Sequence, residues 1–311
     1  RHFELMSRYY AVESKFMLKD YDYAIEKGSA ILDSLDKDMQ ASMARIISES
    51  YYERGENELA SKYLDIYKQS GAALSRKDHY FSGILSYSLN LYQAAIESFA
   101  EVLGENDELS QNAWYFSANS YLKIRNKVEA LSAFKHAAEM EYDPVIKEDA
   151  YFNYAKLSFD VNSDISKFRD YMGMYPASGK EDIINNYTAA SFLLSKDYRS
   201  AVEALSAIRK PTRESSANLQ KAAFFSGMQL VENRGFRAAV PYFELSQEEG
   251  DNEDLRNLTR YWLAESYYRD ERFDEAIAIN SDLLRNKDFR NISEYSLTLY
   301  NQAYAFFKSG R

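Results

Sequence analysis

Apolar residues recur along this chain at spacings of three and four, the period of one helix face, as in Trp114, Ala118 and Tyr121 and then Ala130, Phe134 and Ala137. Aligned on itself, the sequence brings up a small residue followed twelve positions later by alanine: Ser48 and Ala60, Gly83 and Ala95, Ala118 and Ala130, Ala189 and Ala201, Gly227 and Ala239, Ala264 and Ala276. Val12 and Ala24 form a looser copy. Where the pattern is unbroken the alanines lie 35 to 38 residues apart, the period of helix-turn-helix solenoids. Two antiparallel helices approach closely only where neither carries a large side chain, so each pair marks the crossing point of one helical hairpin. Polar turns such as Lys19-Asp20-Tyr21, Arg54-Gly55-Glu56, Arg125-Asn126-Lys127, Asn233-Arg234-Gly235 and Asp270-Glu271-Arg272 are too short to join anything but antiparallel neighbours. The pattern predicts an all-α chain of about eight hairpins plus a ninth first helix ending near Lys308, one continuous solenoid over residues 1–311.

Two stretches depart from the pattern. Within 149–176, Asp164 stands where alanine is expected and Phe168 arrives early, which predicts a hairpin that packs differently. At 209–216, Pro211 ends a helix and polar residues follow, a candidate joint or an ordinary longer loop.

The unit carrying Trp114, Ala118, Tyr121, Ala130, Phe134, Ala137 and then Pro144 resembles the signature of the tetratricopeptide (TPR) family throughout. Other units keep most of it, as in Ile47, Ser48, Tyr51, Gly55 and Ala60, or Leu263, Ala264, Tyr267, Phe273 and Ala276. The resemblance implies a right-handed superhelix with a concave face lined by first helices, used as a scaffold for protein partners. One subgroup grips a terminal carboxylate with a Lys and an Asn on one helix; Asn119 is present here, but Tyr115 replaces the Lys, so that role is not carried over. The Tyr-rich units, Tyr175-Pro176-Ala177-Ser178 among them, look more like long TPR proteins of the gram-negative cell envelope, which implies a periplasmic or outer-membrane-associated protein, with a cytoplasmic one as alternative. The start at Arg1 and the stop at Ser309-Gly310-Arg311 read as a fragment of a longer chain.

Positions three before and four after each small residue form two ladders that are strongly aromatic. Rings supply large contact area at low entropic cost, so part of these ladders is expected to form a Tyr-rich groove for a protein or peptide. Its candidate residues are Tyr52, Tyr80, Tyr87, Tyr115, Phe152, Phe224, Tyr261 and Tyr268, with Asn119, Lys123 and Lys156 as polar neighbours; Glu49, Glu265 and Arg269 lie on the same face. Any one ring is equally readable as packing between helices.

Composition narrows the chemistry. Hydrophobic residues make up 46% of the chain and Tyr alone 27 residues, while 4 Pro and 11 Gly leave little material for a turn-rich β architecture. A formal charge of −10 opposes a phosphate-tracking surface, so no nucleic-acid partner is expected. No apolar run is long enough to span a bilayer. The absence of Cys removes disulfides and thiol chemistry and fits either redox compartment. His2, His79 and His136 lie in different repeats, so neither a metal site nor a Ser-His-Asp arrangement is supported, and no enzyme, metal or cofactor is expected. The run Asp160 to Asp164 begins like a calcium loop but has Ile165 for the required Gly and Tyr171 for the Glu, so it reads as a polar turn. The acidic stretch Glu248 to Asp254 reads as a solvated loop. The expected function is a non-enzymatic adaptor; alternatives are a structural spacer or self-associating subunit of an envelope complex, or a regulatory domain of a larger protein.

Overall fold

Short polar side chains stand where the helices start. Asp36, Ser75, Asp107, Thr212 and Asn252 each accept a hydrogen bond from a backbone N–H three residues on, satisfying a donor that the first helical turn leaves orphaned. Asp143 does the same for Val145 and Ile146 beside Pro144, whose missing N–H costs nothing at a helix start. The computed structural model describes residues 2–291 and 293–310; Arg1, Arg311 and the side chain of His2, named above, lie outside them.

The chain divides into two units, residues 1–174 and 175–311. The first holds five hairpins: α1 (His2–Met17) with α2 (Tyr21–Ile31), α3 (Lys37–Glu53) with α4 (Asn57–Gln69), α5 (Arg76–Ser88) with α6 (Tyr92–Ala100), α7 (Glu108–Lys123) with α8 (Lys127–Glu139), and α9 (Pro144–Asn162) with α10 (Ser166–Met174). The second holds α11 (Glu181–Leu194) with α12 (Tyr198–Ser206), α13 (Arg213–Glu232) with α14 (Phe236–Glu248), α15 (Glu253–Arg269) with α16 (Phe273–Arg285), and the unpaired first helix α17 (Tyr295–Lys308). The eight hairpins and a ninth first helix thus fall where the periodicity predicts them.

Both members of every small-to-alanine pair are buried. At one crossing the contact is direct: the Ser48 hydroxyl donates to the Ala60 carbonyl at 2.7 Å. At two others the small residue admits a ring one turn beyond the alanine. A Cβ on Gly83 would fall 2.5 Å from Phe99, and one on Gly227 2.6 Å from Phe243.

The turns share a further repeat. One residue between the two helices of each hairpin, at Lys19, Gly55, Asn90, Arg125, Ser163, Lys196, Arg234 and Glu271, has φ between 56° and 75°. In seven of them the next N–H bonds back five residues, as Asn126 does to the Tyr121 carbonyl, which is a Schellman ending. That next residue is also the N-cap of the second helix. The α9–α10 turn differs, as expected: Asp164 bonds back six residues to Ser158, and its side chain accepts from Ser166 to start α10. Rings make that crossing, with Phe168 and Tyr171 buried beside Phe152 at 6.0 and 5.2 Å between centroids.

The segment 209–216 is held at both ends. Arg209 and Lys210 donate their N–H groups to the Asp182 carboxylate at 3.0 and 3.1 Å, and Thr212 and Ser215 form a capping box.

Candidate functional site

In the first unit a cleft of about 560 Å³ opens across α1, α2, α3, α5 and α7. Three of the sequence-derived candidates meet in it: Tyr52 from α3, and Tyr80 and Tyr87 from α5. Phe16 and Tyr21 close one end, Phe81, Ile84 and Ser88 come from α5, and Phe116 closes the other end from α7.

The rings are fixed by one another. Tyr52 meets Phe81 edge-on at 5.5 Å, and Tyr87 meets Phe116 at 5.5 Å and Tyr92 at 5.6 Å. Tyr80 leans on the buried Phe99 at 5.9 Å, and burial pushes its hydroxyl up to about 12. Such edge-to-face pairs hold ring orientation beyond what area burial alone supplies.

Among the described residues, Glu49 and Glu53, one turn apart on α3, are the only charged ones lining the cleft, with no Lys, Arg or His beside them. Arg45 stands behind, 3.5 Å from Glu49 and 3.6 Å from the buried Asp78. Arg45 thus serves Glu49 and Asp78, and no ion pair reaches Glu53 among the described residues. Burial raises the Glu49 carboxyl above its ordinary value, opposed by Arg45 and reinforced by Asp78 and Glu53. Burial and then the charges of Glu53 and Glu49 raise the Tyr21 phenol as well.

The remaining candidates lie elsewhere. Tyr115 is half-buried and donates to Asp149 at 2.8 Å; burial, then this bond, raises its phenol to about 12. Asn119 turns back to the Tyr115 carbonyl at 2.9 Å, Lys123 is exposed at the end of α7, and the Lys156 amine sits 5.7 Å above the Phe152 ring. Phe152 itself is buried at 6% exposure among Phe168 and Tyr171, so it belongs to the core rather than to a groove. In the second unit Phe224 is buried at 5% against Phe243, and Tyr261 at 3% with Leu283 and Phe289; these two are core as well. Tyr268 stays half-buried, edge-on to Phe273 and Tyr304.

The two candidate rows lie at the edge of the packed face, so a ring there lines a cleft in one repeat and is covered in another. At about 100° per residue, positions three before and four after the small residue point within about 60° of it, toward the partner helix. Positions one and five after it, and two before it, point about 100° to 160° round, toward the open face. Those are the rows of Glu49 and Ile84, Glu53 and Ser88, and Phe81 and Phe116. Of these only Glu49 was placed on the face by sequence; a helical wheel drawn from the small residue finds the rest, except Tyr21, which opens α2.

His136 stacks on Trp114 at 4.5 Å. Among the described residues no three His, Asp or Glu come together as metal ligands, and no helix is long and apolar enough to cross a membrane.

No protein-family model matches the sequence, and no curated protein does. Among solved structures, a tetratricopeptide repeat protein from Parabacteroides merdae is similar over 82% of this chain and 97% of its own, at 17% identity and a TM-score of 0.43. RapI in its apo form is similar over 98% of each chain at 11% identity and 0.44. A chain of the Naa15/Naa10 complex with HypK is similar over 98% of this chain and 55% of its own, at 12% identity and 0.46. The buried small-to-alanine crossings and the repeated three-residue turns make this chain an all-α protein of repeated helical hairpins.

Proposed function

We propose that the chain is a non-enzymatic scaffold that binds a protein or peptide partner on the first-helix face of its first unit. The cleft carries this reading: preset rings from five helices surround a volume within the range of ligand pockets, about 300–1,000 Å³. Rings already held by their neighbours lose little entropy on contact, the property that makes aromatic residues frequent anchors of binding. The test is selection of peptides from a displayed library on the intact protein, followed by affinities for Tyr52→Ala and Tyr87→Ala. Selected peptides should lose tenfold or more on either change while the helical circular dichroism and its melting persist. Peptides that bind both variants as tightly as the parent protein place recognition elsewhere.

A second reading has its own observation. In the second unit α17 leaves Leu299 at 47%, Tyr300 at 64% and Phe307 at 74% exposure, a row that suits self-association of a spacer. Sedimentation that stays monomeric over a hundredfold range of concentration removes it.

A further inference from the structure

The cleft differs from an ordinary apolar groove in the sign of its charge. Its lining combines rings, Tyr52, Phe81 and Tyr87 among them, with the two carboxylates Glu49 and Glu53. Behind it Arg45 faces Glu49 and Asp78 at 3.5 and 3.6 Å, while Glu53 has no ion-pair partner among the described residues. The corner therefore carries an excess of two negative charges over its single cation. A ring face is the negative part of its quadrupole and attracts a cation, most strongly where water is partly excluded. Carboxylates beside such faces add charge-assisted hydrogen bonds in a directed geometry. An acidic peptide meets repulsion here, and a purely apolar one covers Glu49 and Glu53 without replacing their lost water.

We propose that this cleft is the subsite for an arginine side chain of a bound peptide segment, its guanidinium between Glu49 and Glu53 and its flanking apolar residues on Tyr52, Phe81 and Tyr87. The planar fork of five N–H donors suits both kinds of lining group, since it stacks on rings and bonds carboxylates side-on. Tyr21, whose phenol feels both carboxylates, stands at the acidic end. The cleft crosses three successive first helices, α3, α5 and α7, so the segment lies across the helices with the arginine at the α3 end. A cation placed there also offsets the burial that disfavours the charged form of Glu49.

This assignment rests on the binding reading above, and its test separates the two. Three pools of octapeptides are compared on the intact protein, with the central residue arginine, its neutral isostere citrulline, or glutamate, and the flanking positions randomised among apolar residues. Binding is read by fluorescence anisotropy at low salt. The arginine pool should bind about tenfold more tightly than the citrulline pool, and the glutamate pool more weakly still. The double substitution Glu49→Gln with Glu53→Gln should abolish the arginine preference and leave the residual affinity of the citrulline pool. Equal affinity of the arginine and citrulline pools, with binding still lost in Tyr52→Ala, overturns the cation subsite and leaves the groove standing. Binding of every pool that survives both Tyr52→Ala and Tyr87→Ala, or no binding of any pool, overturns the groove with it. Glu53→Gln alone provides a control at an exposed position: its melting should match the parent protein, and half or more of the preference on a log scale should be gone.

Discussion

Gly83 shows how much one hydrogen atom decides. Alanine is the better helix former by about 1 kcal/mol, so Gly83→Ala would gain stability if space allowed. Its Cβ would stand 2.5 Å from the Phe99 ring, and that ring has no exposed surface and is stacked on Phe116 at 6.1 Å. Overpacking costs about 1–3 kcal/mol, toward the upper end at so short a contact, so the clash wins and Gly83→Ala should destabilise by up to about 2 kcal/mol in urea unfolding. Gly173 in α10 has nothing within 4 Å of its would-be Cβ, so Gly173→Ala should gain a few tenths, up to about 0.5 kcal/mol. Equal effects at both sites would refute the packing argument. Asp107 offers a pH-dependent case. Its carboxylate accepts from Arg76 at 2.7 Å and from the Ser110 N–H, and these bonds hold its pKa well below the usual carboxylate range, the Arg76 bond foremost. A carboxyl depressed in the folded state adds stability above about pH 4 and loses it as pH falls through the folded value. Asp107→Asn keeps a capping oxygen but loses the charge, so it should be less stable at neutral pH by about 0.5–1 kcal/mol, the scale of an exposed pair. The gap should close as the pH is lowered below about 4; a gap constant with pH would show that charge is not its source.

At the scale of elements, the turn within a hairpin is where sequence and structure speak most differently. Pairs such as Ser48 and Ala60 are legible because burial at a crossing restricts residue type to the smallest, and that restriction is printed directly in the sequence. The left-handed turn residue is not, because Lys19, Asn90, Arg125, Lys196, Arg234 and Glu271 all adopt it, and only Gly55 announces it. The Schellman bonds and the next helix's start hold the backbone there whatever the side chain. Strain of about 1 kcal/mol at each non-glycine position is offset by that closure. Gly55 is therefore open to a clean test: φ is 75° and no atom lies within 4 Å of its would-be Cβ, so substitution there reports the backbone alone. Gly55→Ala should cost about 1 kcal/mol and Gly55→Asn roughly half as much, since Asn tolerates the region and Asn90 already occupies it. Thermal unfolding that places Ala and Asn level would sink the account. The candidate groove was half legible for a related reason. Tyr52 and Tyr87 were found because they are rings at a regular step, whereas Glu53, Ile84 and Ser88 share no residue type and only their angle unites them. The buried Phe152, Phe224 and Tyr261 stand at the same regular step as Tyr80, so neither ring type nor step alone tells core from face.

At the scale of the molecule, each helix packs chiefly on those next to it in sequence, α7 on α6 and α8, or α13 on α12 and α14. Stability in such an array is close to a sum of unit terms and nearest-neighbour interfaces, and a perturbation fades within a repeat or two. Burial therefore stabilises this chain locally, and the two units at 1–174 and 175–311 offer a natural grain for that locality. The Gly83→Ala substitution is placed to reveal it. Native-state hydrogen exchange followed by mass spectrometry should show faster exchange in α5, α6 and α7, where Phe99 and Phe116 pack, falling off toward α1 and α10. Amides of α13 to α16 should keep their protection within about 0.3–0.5 kcal/mol, the tolerance expected between independent sites. The opposite result, an equal loss of protection in α13 to α16, would mean that the chain unfolds as one cooperative body despite its local packing, and a ligand seated in the aromatic cleft would then stabilise every helix to the same extent. If the packing argument is right, ligand protection stays centred on the helices that line the cleft, and the rest of the array is left to carry other interactions without reporting on this one.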